Sequence, residues 1–480
     1  MNAEPTILQS PEHVLSTLER DGSRRWLYPK LAAGRFLMRR RIVAYLLIAL
    51  FTLLPYTRIN GKPTILLDIV SRRFTLLGFT FLPTDMFLLA LFAVSMILLV
   101  FFVTALLGRI WCGWGCPQTV YMEFVFRPIE RLCMGRKGVG GAPKAGVAGW
   151  RYAAMYALYA VVSLYLAHTF LAYFVGVDQL RHWMTGSPAD HITAFIVVAA
   201  ITGAMLFNFA YFREQTCTIA CPYGRIQSVL LDKQSLIISY DRQRGEPRGP
   251  IRKMPLPVVE AATAAKSEAK GDCVACDLCV AVCPTGIDIR QGLQLECIGC
   301  AQCIDVCDSV MDKVGRRAGL IRYSSQAAMS GGGQKFLRPR VIIYPLLVTA
   351  LLGLLAVLIA TKSPFDVALL RGLGLPFGVT PSGEVENNMR AKLTNRSDHR
   401  QKLTFSIADN ASVRVVPATR QVVELGPGES WTESLQVFAP KSAFSAGVLN
   451  VRLCVTSDAG DRIERRCTLL GPMTPVAATH

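Results

Sequence analysis

The sequence predicts a multi-domain membrane protein in three parts: a five-helix transmembrane α bundle, a cysteine-rich cytoplasmic α+β domain, and a C-terminal all-β sandwich. Three observations lead there. Long apolar runs recur along the chain, eight cysteines fall within the 35 residues Cys273–Cys307, and the residues after 361 alternate apolar and polar side chains. The 480 residues are 51% hydrophobic and only 18% charged, against about 25% charged in soluble domains. Mean hydropathy is +0.35. These figures argue against a wholly soluble, disordered or collagen-like chain, and the length suggests about three folded units.

Five runs reach the roughly 20 residues that a spanning helix needs. They cover 42–57, 86–107, 152–175, 192–212 and 341–361, and 86–107 (MFLLALFAVSMILLVFFVTALL) carries no charge at all. Pro55 shortens the first. Residues 1–41 are polar and basic without an early apolar core, so no cleavable signal peptide is expected there.

Orientation follows from Lys and Arg in the connecting segments. Their counts run 8 in 1–41, 4 in 58–85, 7 in 108–151, 1 in 176–191 and 18 in 213–340. The alternation places the basic N-terminus (1–41), the loop 108–151 and the segment 213–340 in the cytoplasm. With five spans, segment 362–480 lies outside, in the periplasm of a bacterium whose inner membrane holds the chain. The net charge of +18 (52 basic minus 34 acidic) is then mostly a topology signal with some contact to anionic membrane lipid. No recognition module accompanies it, so no nucleic-acid partner is expected.

Segment 213–340 opens with a basic stretch (DRQRGEPRGPIRKMPLP), continues through an Ala/Lys/Glu linker at 260–271, and ends in a Gly-rich hinge at 330–333 before the last span. Between them Cys273, Cys276, Cys279 and Cys283 follow C-x2-C-x2-C-x3-C, and Cys297, Cys300, Cys303 and Cys307 repeat it. This is the two-cluster ferredoxin spacing, placed at about 271–320. Three cysteines two residues apart wrap one corner of a cubane, and the fourth crosses to the other. One [4Fe–4S] cluster is therefore expected on Cys273, Cys276, Cys279 and Cys307, and the second on Cys297, Cys300, Cys303 and Cys283. Zinc sites more often use two separated C-x2-C pairs. Pro284 follows the first run, and Asp308 follows the second.

Two further pairs, Cys112/Cys116 in WCGWGCPQT and Cys217/Cys221 in TCTIACPYG, share the spacing C-x3-C-P after the second and fourth spans. They look like an internal repeat. On one helix, i and i+4 face the same side, so each pair can offer two sulfurs to one ion. Two thiolates suit Cu(I), while four converging thiolates suit zinc or a third cluster. His168 lies within the third span, where a polar residue is a functional candidate by default. A structural hydrogen bond or a transient copper contact fits it better than haem. Cys133 stands alone and reads as structural.

The tail alternates in QKLTFSIAD, SVRVVP, RQVVEL, WTESLQVFA, VLNVRLCVT and RIERRCTLL. About seven short strands suggest an immunoglobulin-like sandwich. Cys454 and Cys467 flank one expected hairpin, where a disulfide and two free thiols are equally compatible with the sequence.

The order WCGWGCPQTVY, TCTIACPYGRIQ, SYDRQRGEPRG, the eight-cysteine block and GLIRY resembles the CcoG (RdxA/FixG) family of cytochrome c oxidase accessory proteins, which are membrane-bound polyferredoxins. The motifs span roughly residues 40–325. The resemblance implies two [4Fe–4S] clusters, and reduction of Cu(II) to Cu(I) for assembly of a cbb3-type oxidase. It also implies copper as substrate or transient ligand at Cys112, Cys116, Cys217 and Cys221. The partners it implies are a cytosolic electron donor, a copper transporter or chaperone, and oxidase subunits. Two other readings stand beside it: an electron-transfer subunit of a quinol-linked chain, and a non-enzymatic assembly scaffold.

Overall fold

The computed structural model describes residues 16–18, 23–59, 61–82, 85–135, 146–250, 271–332, 337–372, 374–397 and 399–472. The linker expected over 260–271 lies outside them except for Gly271. The chain divides into two compact units, one of residues 1–79 and 89–353 and one of residues 80–88 and 354–480.

In the first unit, helix α1 spans Arg35–Leu53, α2 Met86–Leu107, α3 Ile110–Trp114, α4 Pro117–Tyr121, α5 Gly149–Val175 and α6 Ile192–Phe207. Among the described residues four helices are long and apolar enough to cross a membrane: 86–107, 149–175, 192–212 and 339–360. The helix expected over 42–57 is α1, which begins earlier and stops at Leu53, before Pro55. Every 18-residue window of α1 includes Arg39, Arg40 and Arg41, which keeps it out of that set. Three of the four spans are only 11% buried by protein, whereas α5 is 39% buried. Lipid must therefore cover 86–107, 192–212 and 339–360, and α5 is the packing centre. Its Met155, Tyr159 and Leu166 meet Tyr121, Phe126 and Phe209 in one apolar cluster. Cys133 packs against that cluster.

Helix α6 continues as a π-helical turn, Asn208–Phe212, and the chain then reverses at Arg213 with φ 52. Helix α7 follows at Pro222–Leu230. The cysteine-rich segment is closed by strands β1 (Ile237–Tyr240) and β2 (Ile321–Ser324), paired antiparallel with Ile237 opposite Ser324. Helix α8, Gln302–Lys313, carries Cys303 and Cys307 and runs unbroken through Asp308. A proline there would remove a helical hydrogen bond. Instead, Asp308 accepts from the Gly319 N–H at 2.8 Å and pairs with Arg35. Helix α9 is Pro339–Ala360.

The second unit is a sandwich. Strands β3 (Phe365–Arg371), β4 (Glu384–Asn395), β5 (Gln401–Ile407), β6 (Arg414–Pro417), β7 (Val422–Leu425), β8 (Ser430–Pro440), β9 (Val448–Ser457) and β10 (Arg462–Leu470) form two antiparallel sheets. Their orders are β6-β8-β4-β3 and β7-β5-β9-β10, with Gly378–Val379 beside β4. The six alternating segments named from the sequence are β5 to β10, and β3, β4 and the two-residue Gly378–Val379 add to them. Val367, Leu393, Leu403, Leu425 and Val455 fill the core. Register answers the cysteine question. Cys467 lies opposite Val451, and Cys454 lies opposite Glu464. Residues 451 and 454 point to opposite faces of a strand, so the two sulfurs are separated by the sheet and both cysteines are free.

Candidate functional site

The cysteine loops are shaped by left-handed residues at matching places. Ala275 (φ 50) and Asp277 (φ 54) separate the cysteines of the first run, and Gly299 (φ 68) and Ala301 (φ 62) those of the second. A reversal at every second step turns successive N–H groups inward, the backbone concavity that iron–sulfur sites use. Asp277 and Ala301 then start the helices Leu278–Ala281 and α8.

Two cavities result. One is lined by Cys273, Cys276, Cys279 and Cys307 with Tyr240 and Leu320. The other is lined by Cys283, Cys297, Cys300 and Cys303, with Cys279 between the two. The fourth cysteine of each run thus joins the other run's cavity. Burial pushes these thiols up, Cys279 and Cys297 to about 11 and Cys300 and Cys307 to about 12. Eight crowded soft donors in apolar walls are the donor chemistry of thiolate-bound iron–sulfur clusters, and the residues fit that group. Among the described residues no set of three or more His, Cys, Asp or Glu side chains is placed to hold a single metal ion.

The C-x3-C-P pairs differ from the single-helix picture. Cys112 lies in α3, but Cys116 is the N-cap of α4, extended at φ −66, ψ 126, with Pro117 at the first helical position. Cys221 caps α7 in the same way, ahead of Pro222, at φ −76, ψ 109. The residue before proline is pushed out of the helical region, while proline itself suits the first turn. Each pair therefore straddles a break between helices. The repeat is one of Cys-Pro caps, and it brings the two pairs together. The Cys217 thiol feels Cys116, Cys112 and Cys221, and burial, the larger cause, pushes it up to about 12. Cys112 is also pushed up by burial, against the pull of Arg109. Its thiol donates to Gln227 Oε1 at 3.0 Å, and the Gly224 N–H donates to Cys221 Sγ at 3.4 Å.

This four-thiol group adjoins the second cavity. Cys112 packs with Ile298, Cys300 and Tyr223. Gly113 lies so close that a Cβ there would meet Ile298 O at 2.6 Å and Cys300 N at 2.9 Å. Arg109 donates to Leu295 O. Trp114 Nε1 donates to Tyr323 Oη at 3.3 Å, and that hydroxyl donates to Gly299 O at 2.7 Å. His168 is not gathered in: its Nδ1 bonds Leu164 O at 2.8 Å, one turn back in α5, which is a structural role.

Several neighbouring residues escaped the sequence reading. Arg127 pairs with Glu123 and Glu214 and donates to Pro284 O at 3.4 Å, and Arg213 pairs with Glu130 at 3.0 Å, all buried. Arg40 is fully buried beside Gly113. The i,i+4 spacing of Glu123 and Arg127 was the one available signal. The others depend on contacts distant in sequence.

Comparison with known proteins agrees with this architecture. Residues 212–326 match a family model described as a 4Fe-4S dicluster domain, residues 89–137 one described as a 4Fe-4S binding domain, and residues 355–472 one described as an IG-like fold at the C-terminus of FixG. The chain is 32% identical over 428 residues to the nitrogen fixation protein FixG of Rhizobium meliloti, covering 80% of this chain and 79% of the relative. It is 30% identical to protein RdxB of Cereibacter sphaeroides, covering 95% and 98%. A solved FixG-related protein from Vibrio parahaemolyticus is 18% identical, covers 23% of this chain and 100% of its own, and has a TM-score of 0.21, a likeness too slight to carry an argument. Apolar spans, paired cysteine cavities and these relatives together make the chain a membrane iron–sulfur electron-transfer protein that belongs to the FixG/RdxA family.

Proposed function

We propose that the protein reduces Cu(II) to Cu(I) at Cys112, Cys116, Cys217 and Cys221, and that the Cu(I) serves assembly of a cbb3-type cytochrome c oxidase. The observation that carries this is the adjacency of the four thiols to the Cys300 loop, through the side-chain-free Gly113. Iron–sulfur clusters, when bound, supply one-electron transfer at low potential. Cys273, Cys276, Cys279 and Cys307 would hold one, and Cys283, Cys297, Cys300 and Cys303 would hold the other.

Cys276 is the exposed cysteine of the eight, so a cytosolic electron donor docks on its side of the segment. Cys300 is buried toward the four-thiol group. One electron is consumed per Cu(II), and the product Cu(I) is a soft ion that thiolates prefer. The thiols hold it until a copper transporter, chaperone or oxidase subunit takes it. The N-terminus and segment 213–340 lie in the cytoplasm in this reading, and α1 is a fifth crossing that places the β sandwich in the periplasm.

One observation favours a second reading: the 4Fe-4S model over residues 89–137 includes Cys112 and Cys116, which would make the four thiols the seat of a further cluster. The test is replacement of all four by Ser, followed by iron analysis and a Cu(II)-reduction assay on anaerobic protein. Lost copper reduction with full iron content supports the copper site. Iron loss equal to one cluster supports the second reading. Unchanged copper reduction rejects the copper site, and quinol-dependent reduction of the protein without any copper effect would place it in a quinol-linked chain.

A further inference from the structure

Arg39, Arg40 and Arg41 stand together at the start of α1, yet only Arg40 is buried. Its side chain is 0% exposed. Nε donates to Gly113 O at 2.9 Å. Nη1 and Nη2 are buried and have no hydrogen-bond partner among the described residues. No carboxylate pairs with it among those residues, and the Phe124 ring lies 5.5 Å from Cζ.

A guanidinium cannot shed its proton, and a buried charge left unpaired is strongly unfavourable. A counter-anion is therefore required, and geometry limits the choice. Gly113 rests on Ile298 and Cys300, and Arg40, bonded to the Gly113 carbonyl, therefore stands beside the Cys300 loop. Four thiolates outweigh the positive charge of the cubane they hold, so the loaded site is anionic, and it becomes more so on reduction. A fixed buried cation stabilises the reduced form more than the oxidised one, because low-dielectric surroundings screen it little.

Building on the iron–sulfur assignment above, we infer that Arg40 is the counter-cation of the site formed by Cys283, Cys297, Cys300 and Cys303, and that it sets the reduction potential of that cluster above its neighbour's. Arg40 is thus a positioning residue. It gives the pair a downhill direction toward the C-x3-C-P cysteines.

The experiment is an EPR-monitored redox titration of the anaerobically purified full chain, with iron and sulfide analysis, on the wild type, Arg40→Gln and Arg40→Lys. In Arg40→Gln, one midpoint falls, with at least a tenfold loss in the equilibrium constant for reduction, about 59 mV for a one-electron couple. The other midpoint stays, and Arg40→Lys remains near wild type. Cys300→Ser must alter the same signal that Arg40→Gln shifts. If Arg40→Gln loses iron, Arg40→Met, which keeps the apolar stem, is held to the same criterion. Two intact clusters whose midpoints ignore the loss of charge overturn this inference alone, as does an equal fall in the Lys and Gln variants. A wild-type protein without iron and sulfide overturns the cluster assignment as well.

Discussion

Leu37 donates its backbone N–H to Asp305 Oδ2 at 2.8 Å, and the neighbouring Phe36 N–H reaches Oδ1 at 3.1 Å. Asp305 lies between Cys303 and Cys307 on α8, so a carboxylate of the cluster-binding helix caps the first turn of α1. The fit is close: a Cβ on Gly34 would lie 2.2 Å from the Asp305 carboxyl carbon. Helix starts need such acceptors for their unpaired N–H groups, and the cap residue of α1 itself, Gly34, offers no side-chain acceptor.

Asp305→Ala is therefore expected to destabilise the first unit by about 1 kcal/mol, the usual worth of an N-cap. Asp305→Asn, which keeps one acceptor, should cost less. Thermal unfolding of detergent-solubilised protein, followed through cluster absorbance, checks both. Equal behaviour of wild type and Asp305→Ala would contradict the capping role.

Gly113→Ala should separate the C-x3-C-P cysteines from the Cys300 loop, because the added methyl meets backbone atoms of Ile298 and Cys300 within 3 Å and they must shift. Cu(II) reduction should drop at least tenfold. Gly203→Ala serves as the control: nothing lies within 4 Å of its Cβ position, and alanine is favoured over glycine in a helix by about 1 kcal/mol. It should retain full reduction.

The sandwich unit makes its own prediction. Buried Asp85 accepts from Lys362 Nζ at 2.7 Å and pairs with Arg396 at 3.5 Å, while Arg396 also pairs with Asp366. Asp85→Asn leaves Lys362 without its anion and should cost about 1.5–3 kcal/mol, the range for hydrogen bonds to charged groups. Urea-dependent proteolysis of the sandwich in the full chain measures it, and an unshifted midpoint would refute the pairing.

Both Cys454 and Cys467 should react with a thiol reagent after denaturation without reductant, since the strand register puts them on opposite faces of the sheet. Protection of both thiols, reversed by reductant, would show that the register is wrong.

The contrast between Arg40 and Cys300 shows what a sequence can carry. Cys300 was readable because cluster ligation imposes a fixed local spacing, repeated twice within 35 residues. The apolar spans were readable for a similar reason, since bilayer thickness sets their length. Arg40 was not. Within Arg39-Arg40-Arg41 the charges are chemically identical, and only packing against Gly113, 73 residues away, selects the middle one for burial. The Cys-Pro caps are visible in the sequence as a repeated motif, but the rule that i and i+4 share a face fails there, because each proline restarts the helix. The register of β9 and β10 depends on how the two strands pair, which the sequence alone does not fix, and the cysteine pairing is open in the sequence for the same reason.

The most direct test of the central claim is single-turnover mixing of chemically reduced, anaerobic full-length protein with Cu(II) and a Cu(I)-selective chelator, recording cluster absorbance and Cu(I) together. The account predicts that the clusters regain the stronger visible absorbance of their oxidised form as Cu(I) appears, one electron per ion, and that both changes slow together when Cys112, Cys116, Cys217 and Cys221 are replaced by Ser. Protein that holds zinc instead of iron and sulfide, or clusters that stay reduced while Cu(I) forms, would contradict it.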